Sequence, residues 1–349
     1  MLHIGQTVKN ARESPLREAG DSLRLFQTPL HAAKGCETMP IHLGPMTRRD
    51  FLAGTAGATA VLLLGERAGA ADKLKADPHC FALLSDTHVP AEAKTKQAGV
   101  NMTDNFAKAI AQVTGLDSAP AGAILCGDLA HKAGLPGEYR QFAPMLRKLT
   151  QTKLPAHLLL GNHDHIGNIY TALAESKPAK PLVVGKHVSI VQSPRANWFL
   201  LDSLEVVNAP PGLLGKEQLA WLEKALDAHS DRPAIVIAHH NPDITPAGQP
   251  VRKPKRTSGL KDGAALLDLM VARKHVKAFI HGHRHHWYPY TYKGLHMAGL
   301  PAVAYVSRKT ESSAWVLARL EDNGCSLELR CLDAKHATHG QKVEMTWRA

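Results

Sequence analysis

Apolar residues along this chain gather into short unbroken runs, separated by longer stretches with helical spacing. Phe81–Ser85, Ala123–Cys126, His157–Leu160, Ala234–Ala238 and Lys277–Ile280 are each four or five residues long and almost continuously apolar. That is the pattern of strands covered on both faces, since a half-covered strand would alternate apolar with polar. Between them, Asn105–Val113, Glu138–Leu149, Lys216–Ala228 and Gly263–His275 place apolar residues at helical intervals. Strand and helix in alternation predict an α/β core with a largely parallel sheet. Val183–Val191, Trp198–Asp202, His296–Met297, Ala302–Ser307, Ser313–Leu320 and Ser326–Leu332 read as further strands without long helices between them. They predict a second, partly antiparallel sheet. No Pro/Gly-rich linker is long enough to split residues 76–349, so one domain is expected.

Composition adds a compartment and a class of partner. The 349 residues are 44% apolar but only 5% aromatic, so the core is mostly aliphatic. Thr47-Arg48-Arg49-Asp50-Phe51-Leu52 opens a run of small and apolar residues through Leu64, followed by Ala68-Gly69-Ala70. This resembles a twin-arginine export signal with a small-residue cleavage site. The run from Phe51 to Leu64 is too short and too diluted with Gly and Thr for a membrane span, which needs roughly 20 apolar residues. We therefore expect a doubtful leader over 1–45, a signal over 46–71 beginning at Met46, and the folded domain over 72–349. Residues 1–71 carry eight Lys/Arg against six Asp/Glu, so their removal takes the net charge only from +11 to +9. A basic domain attracts anionic partners: phosphate esters, nucleic acid or anionic lipid. Cys80 and Cys126 fall in or beside buried strands, as small apolar side chains do. Cys325 and Cys331 flank one strand whose six extended residues hold them about 20 Å apart, beyond disulfide reach.

Five polar clusters sit where the five apolar runs end: Asp86-Thr-His88, Gly127-Asp128, Gly161-Asn162-His163-Asp164, His239-His240 and Gly282-His283-Arg284-His285. Open α/β sheets place their ligands at the carboxyl ends of strands, so position and chemistry agree. Carboxylate, amide and imidazole donors without thiolate suit manganese, iron, cobalt or zinc. Asp86 and His88, one residue apart in extended chain, point the same way and can chelate one cation. Gly127 lets the chain turn so that Asp128 can reach two cations. Asn162 can ligate through its amide oxygen while His163 faces substrate, with Asp164 placed to orient and charge His163. Of the adjacent pair, His239 is the expected ligand and His240 a substrate contact or a loop-packing residue. The stretch His281 to His286 leaves two overlapping His-x-His readings open.

In this order the clusters resemble the calcineurin-like metallophosphoesterase superfamily, over about Asp86 to His285. That resemblance implies a four-layer α/β/β/α sandwich with the metal site at the strand C-terminal ends. It also selects His283 and His285, because Gly precedes the first His of the family's pair. By resemblance one metal takes Asp86, His88, Asp128 and His285, and the other takes Asp128, Asn162, His239 and His283. His163 is then the catalytic histidine that binds no metal, with Asp164 beside it, and Asn162, His163 and His240 meet the substrate. Gly127-Asp128-Leu129-Ala130 followed by Glu138-Tyr139 is most similar to the cyclic-nucleotide phosphodiesterase branch. Purple acid phosphatases carry Tyr three residues after that Asp, where this chain has His131. The reading His239-His240-Asn241-Pro242 also departs from the usual His-His-Pro.

The implied activity is hydrolysis of phosphate esters, diesters ahead of monoesters, by in-line attack of a metal-bridging hydroxide. Arg252-Lys253-Pro254-Lys255-Arg256 can hold a phosphate or simply be a solvated loop. The expected partners are a small anionic phosphate ester and the twin-arginine export machinery, and the expected location is periplasmic or secreted. A nuclease is the main alternative, but aromatics do not interleave with basic residues to make a stacking platform. A non-catalytic metal module is the other, and His163 argues against it because no metal needs it.

Overall fold

The computed structural model describes residues 76–174, 177–244 and 258–349, together with the backbone of one two-residue strand at His42–Leu43. The signal segment and the basic run Arg252–Arg256 lie outside the described residues. In chain order the strands are β1 (His42–Leu43), β2 (Asp77–Leu84), β3 (Lys96–Gln97), β4 (Val100–Asn101), β5 (Pro120–Cys126), β6 (Ala156–Leu159), β7 (Ser189–Gln192), β8 (Asn197–Leu201), β9 (Ala234–Ala238), β10 (Val276–His281), β11 (Tyr288–Tyr292), β12 (Leu295–Gly299), β13 (Ala314–Glu321), β14 (Gly324–Cys331) and β15 (Lys342–Thr346). The helices are α1 (Met102–Thr114), α2 (Pro136–Thr150), α3 (Ile166–Ala172), α4 (Lys216–Ala228) and α5 (Gly263–Val271).

Two mixed sheets form. One runs β1-β6-β5-β2-β13-β14-β15 and the other β11-β12-β10-β9-β8-β7. In the first, β2, β5 and β6 are parallel and β13 joins β2 antiparallel. In the second, β8, β9, β10 and β12 are parallel, with β7 and β11 antiparallel at the edges.

Side-chain alternation explains why the central strands read as unbroken apolar runs. Along β2, Cys80, Ala82 and Leu84 pack toward α1 and α2, while Phe81 and Leu83 pack toward the second sheet. Along β9, Ile235 and Ile237 meet the first sheet, and Ala234, Val236 and Ala238 meet α4 and α5. Three cores therefore separate four layers, α/β/β/α, as the sequence resemblance implies. Phe81 and Trp198 join the sheets across the middle core, ring centroids 4.9 Å apart and tilted by 51°.

The helices owe their register to the same burial. In α1, Met102, Phe106, Ala109, Ile110 and Val113 form a buried stripe, and the Asn101 side chain caps the start by accepting from the Asp104 amide at 3.1 Å.

Several expectations change. The five apolar runs do not share one sheet: β2, β5 and β6 belong to the first, β9 and β10 to the second. The strands from Ser313–Leu320 and Ser326–Leu332 extend the first sheet and not the second. An apolar run fixes burial on two faces but not which sheet supplies the neighbour. Ala302–Ser307 forms no strand, since its backbone is engaged with the metal-type loops, Val303 N–H donating to Ser85 and Ala304 N–H to Asp86. Val183–Val191 shortens to Ser189–Gln192, and the helix expected to reach His275 ends at Val271.

Candidate metal centre

Asp86 and His88 follow β2, Asp128 follows β5, Asn162 follows β6, His239 follows β9, and His283 and His285 follow β10. Because the two sheets face one another, these five strand ends meet at one edge of the sandwich. Asp86, His88, Asp128, His283 and His285 all have positive φ, between 42° and 66°. Non-glycine residues avoid that region, and several together mark a site where the surroundings impose the backbone. Gly127 has φ 74°, and a Cβ there would come within 2.7 Å of His239 Nδ1, so glycine lets the Asp128 turn and the His239 ring coexist.

The donors form two overlapping groups. On one side, His285 Nε2 lies 3.2 Å from Asp86 Oδ1 and 3.0 Å from His88 Nε2, and His88 Nε2 lies 3.7 Å from Asp128 Oδ2. On the other, His239 Nε2 lies 3.2 Å from the same Asp128 oxygen. Ring nitrogens of His239, His240 and His283 come within 4.8 Å of one another. Asp128 therefore stands between the two groups. Asp86 Oδ1, Asn162 Oδ1 and His239 Nε2 are buried yet make no hydrogen bond. Buried polar atoms are rarely left so unless an ion or water completes them, and this donor set fits cations.

Second partners fix the imidazoles. Nδ1 of His239 donates to the Cys126 carbonyl and Nδ1 of His285 to the Tyr305 carbonyl, both at 2.8 Å, which turns each Nε2 inward. Asp86 Oδ2 accepts from Ser85 Oγ and from the His283 amide, and Asp128 Oδ1 accepts from the His163 amide at 2.8 Å.

Charge in the metal-free cluster follows from burial and proximity. Burial pushes His88 down to about 3, while the imidazoles of His285 and His239 hold Asp86 below the usual carboxylate range against the burial that would raise it. His239 rises to about 9, because Asp128 outweighs the desolvation opposing it.

One expected pairing is corrected. Asp164 does not touch the His163 ring. Its carboxylate accepts from the amides of Leu129, Ala130 and Gly161 at 2.9–3.1 Å and from Tyr139 Oη at 3.0 Å. Burial and Asp128 raise its pKa to about 6. In the turn after Asn162, His163 heads toward the cluster and Asp164 heads inward, so adjacency in sequence carries no contact. The His163 Nδ1 instead donates to the Lys132 carbonyl at 2.5 Å.

Three contributors went unnoticed in the sequence. Glu138 accepts from the amides of Lys132 and Leu135, shaping the loop whose carbonyl holds His163. Tyr305 stacks on His88 at 5.2 Å and packs on His285 at 4.7 Å. Ser203 holds His240, its Oγ 2.8 Å from Nδ1. Only the Glu138-Tyr139 pair had a sequence signal, and it gave no hint of these contacts.

A two-layered identity follows from fold and donors. Residues 81–287, more than half the chain, match the family model of the calcineurin-like phosphoesterases, and the chain belongs to that family. Its members bind a binuclear metal centre, and this chain brings His and Asp side chains into clusters that could hold metal. Residues 45–65 match the twin-arginine translocation signal, which indicates export across the cytoplasmic membrane. Among the described residues no helix is long and apolar enough to cross a membrane.

More narrowly, the chain is a distant homologue of cyclic-nucleotide phosphodiesterases of the CpdA type. It is 27% identical to the 3',5'-cyclic adenosine monophosphate phosphodiesterase CpdA of Escherichia coli K12 over 248 residues, 70% of this chain and 83% of that one. It is 25% identical to the glycerophosphodiester phosphodiesterase GpdQ of Enterobacter lignolyticus over 227 residues, 64% of this chain and 77% of that one. A dimetal phosphatase from Danio rerio shares the fold with a TM-score of 0.60 at 16% identity, covering 78% of this chain and all of the other.

Proposed function

We propose that the chain is an exported phosphodiesterase acting on small soluble phosphodiesters at a two-cation centre. The observation that carries this reading is Asp128, whose carboxylate lies between two groups of ligand atoms, with Asp86 Oδ1, Asn162 Oδ1 and His239 Nε2 buried and without a hydrogen bond. Asp86, His88, Asp128 and His285 would hold one cation, and Asp128, Asn162, His239 and His283 the other. When bound, such a pair supplies a nucleophile at neutral pH and neutralises the phosphoryl oxygens. Manganese, iron, cobalt and zinc suit these oxygen and imidazole donors.

The chain's own residues position the reaction. His163 carries its Nδ1 proton toward Lys132, so its Nε2 is the atom that can take part. Protonated there, it stabilises or protonates the leaving oxygen of an in-line displacement. Asp164 serves as a positioning residue for the backbone on both sides of Asp128 and Asn162, not as a charge partner of His163. Diesters are favoured over monoesters because the two sequence relatives named above, CpdA and GpdQ, are phosphodiesterases. Residues 46–71 would be the export signal and 72–349 the periplasmic or secreted enzyme, while within the doubtful leader 1–45 the two residues of β1 pair with β6.

Turnover of cation-loaded protein on cyclic nucleotides, glycerophosphodiesters, phosphomonoesters and oligonucleotides tests the reading. Small diesters should turn over fastest. Preference for monoesters, or for oligonucleotides with steep salt dependence, would overturn it.

A further inference from the structure

His240 is wholly buried, and its Nε2 has no hydrogen-bond partner although the ring stands in the cluster, 4.9 Å from His239 and 4.6 Å from His283 between centroids. Its position next to a proposed ligand raises two alternatives: a further metal ligand or a proton donor. The partner of Nδ1 decides between them. For His239 and His285 that partner is a carbonyl oxygen, which only accepts, so Nδ1 carries a proton and Nε2 is the nitrogen left for a cation to take. For His240 it is the Ser203 hydroxyl.

Ser203 is also wholly buried, and its oxygen accepts the His240 backbone N–H at 3.3 Å. Among the described residues the hydroxyl proton has one further partner, the His240 Nδ1 at 2.8 Å. Donation to Nδ1 leaves the ring's single proton on Nε2, where a cation cannot bind. Gly212 holds this arrangement in place, since a Cβ there would strike the His240 ring.

We infer that His240 is a neutral Nε2–H donor to a phosphoryl oxygen of the substrate, with Ser203 the positioning residue that fixes its tautomer. This rests on the proposed phosphodiesterase reading for the identity of the oxygen, while the tautomer itself does not depend on it. A buried donor with no acceptor in the protein is costly. A phosphoryl oxygen drawn to the cations satisfies it and gains a fixed dipole where charge develops. The same arrangement explains why only the first of two adjacent histidines belongs with the ligands.

The test is made on the cation-loaded full chain labelled with 15N-histidine, the His240 signals being assigned by their loss in His240→Gln. The expected result is a proton on Nε2 and a bare Nδ1; a proton on Nδ1 would overturn the inference, and no turnover is needed to read it. His240→Ala should keep both cations, bind inorganic phosphate at least tenfold more weakly, and lower diester kcat/KM by about 10²–10³-fold. His240→Gln, whose amide can still donate, should recover part of that loss. A folded His240→Ala that loses one cation would make His240 a ligand and sink the proposal. If the wild type hydrolyses no diester while the tautomer and phosphate results hold, the substrate reading has failed and the donor assignment stands.

Discussion

His163 and His239 each donate Nδ1 to a backbone carbonyl, of Lys132 and of Cys126, yet the proposed assignment gives them different work. His163 is tied to the Lys132 carbonyl and, by resemblance, binds no metal. His163→Ala should therefore retain both cations, measured by elemental analysis, and lose about 10²–10⁴-fold in turnover. The loss should be largest for substrates with poor leaving groups, and loss of a cation would contradict this role. His239 is the proposed ligand. Free of metal, it is raised to about 9 by Asp128 against desolvation, so it is protonated at neutral pH and a cation must displace that proton. Affinity should rise with pH toward about 9 and flatten above it, with proton release on binding measurable by calorimetry in buffers of different ionisation enthalpy. The ordinary sign for a raised pKa also holds: the protonated pair with Asp128 stabilises the metal-free fold below the unfolded histidine value of about 6.5, and that contribution is lost as pH climbs through 9. Affinity independent of pH between 6 and 9 would show that His239 is not a ligand.

At the scale of elements, the loops after β5 and β6 are held to each other by one buried carboxylate and one phenol. Tyr139, on α2, donates to Asp164 and accepts the His165 amide at 2.9 Å. Tyr139→Phe removes both bonds and leaves a backbone donor unpaired. It should destabilise the chain by about 1–3 kcal/mol in denaturant unfolding and weaken cation binding without removing a ligand. A variant as stable as the wild type would show that the loops do not depend on this link. These contacts mark where the sequence was legible and where it was not. β9 and α4 run over the same residues that spacing alone predicted, because burial on defined faces leaves a periodic trace. The cluster positions were readable because each ends an apolar run. The Asp164 pairing was misjudged because a tight turn sends adjacent side chains in different directions, and sequence order does not record them. Tyr288–Tyr292 escaped notice as an edge strand whose residues are largely polar and half-exposed. Sheet membership stayed hidden because a strand covered on both faces looks the same in either sheet.

The molecule as a whole joins an export signal to a candidate metal site built from loops that are far apart in sequence. Among the described residues the cysteines are free and buried, so no disulfide among them has to form after export. This suits a chain that folds and takes up its cations before translocation. With Arg48→Lys and Arg49→Lys together, export should fail and folded enzyme should accumulate inside the cell, as fractionation would show; normal levels outside would contradict the dependence.

Two cations sharing Asp128 are proposed to work as one centre. Titrating manganese or zinc into metal-free protein while following hydrolysis of a small phosphodiester measures this most directly. Little activity is expected through the first equivalent per chain, with its appearance at the second. Full activity at one equivalent, or none at two, would contradict it.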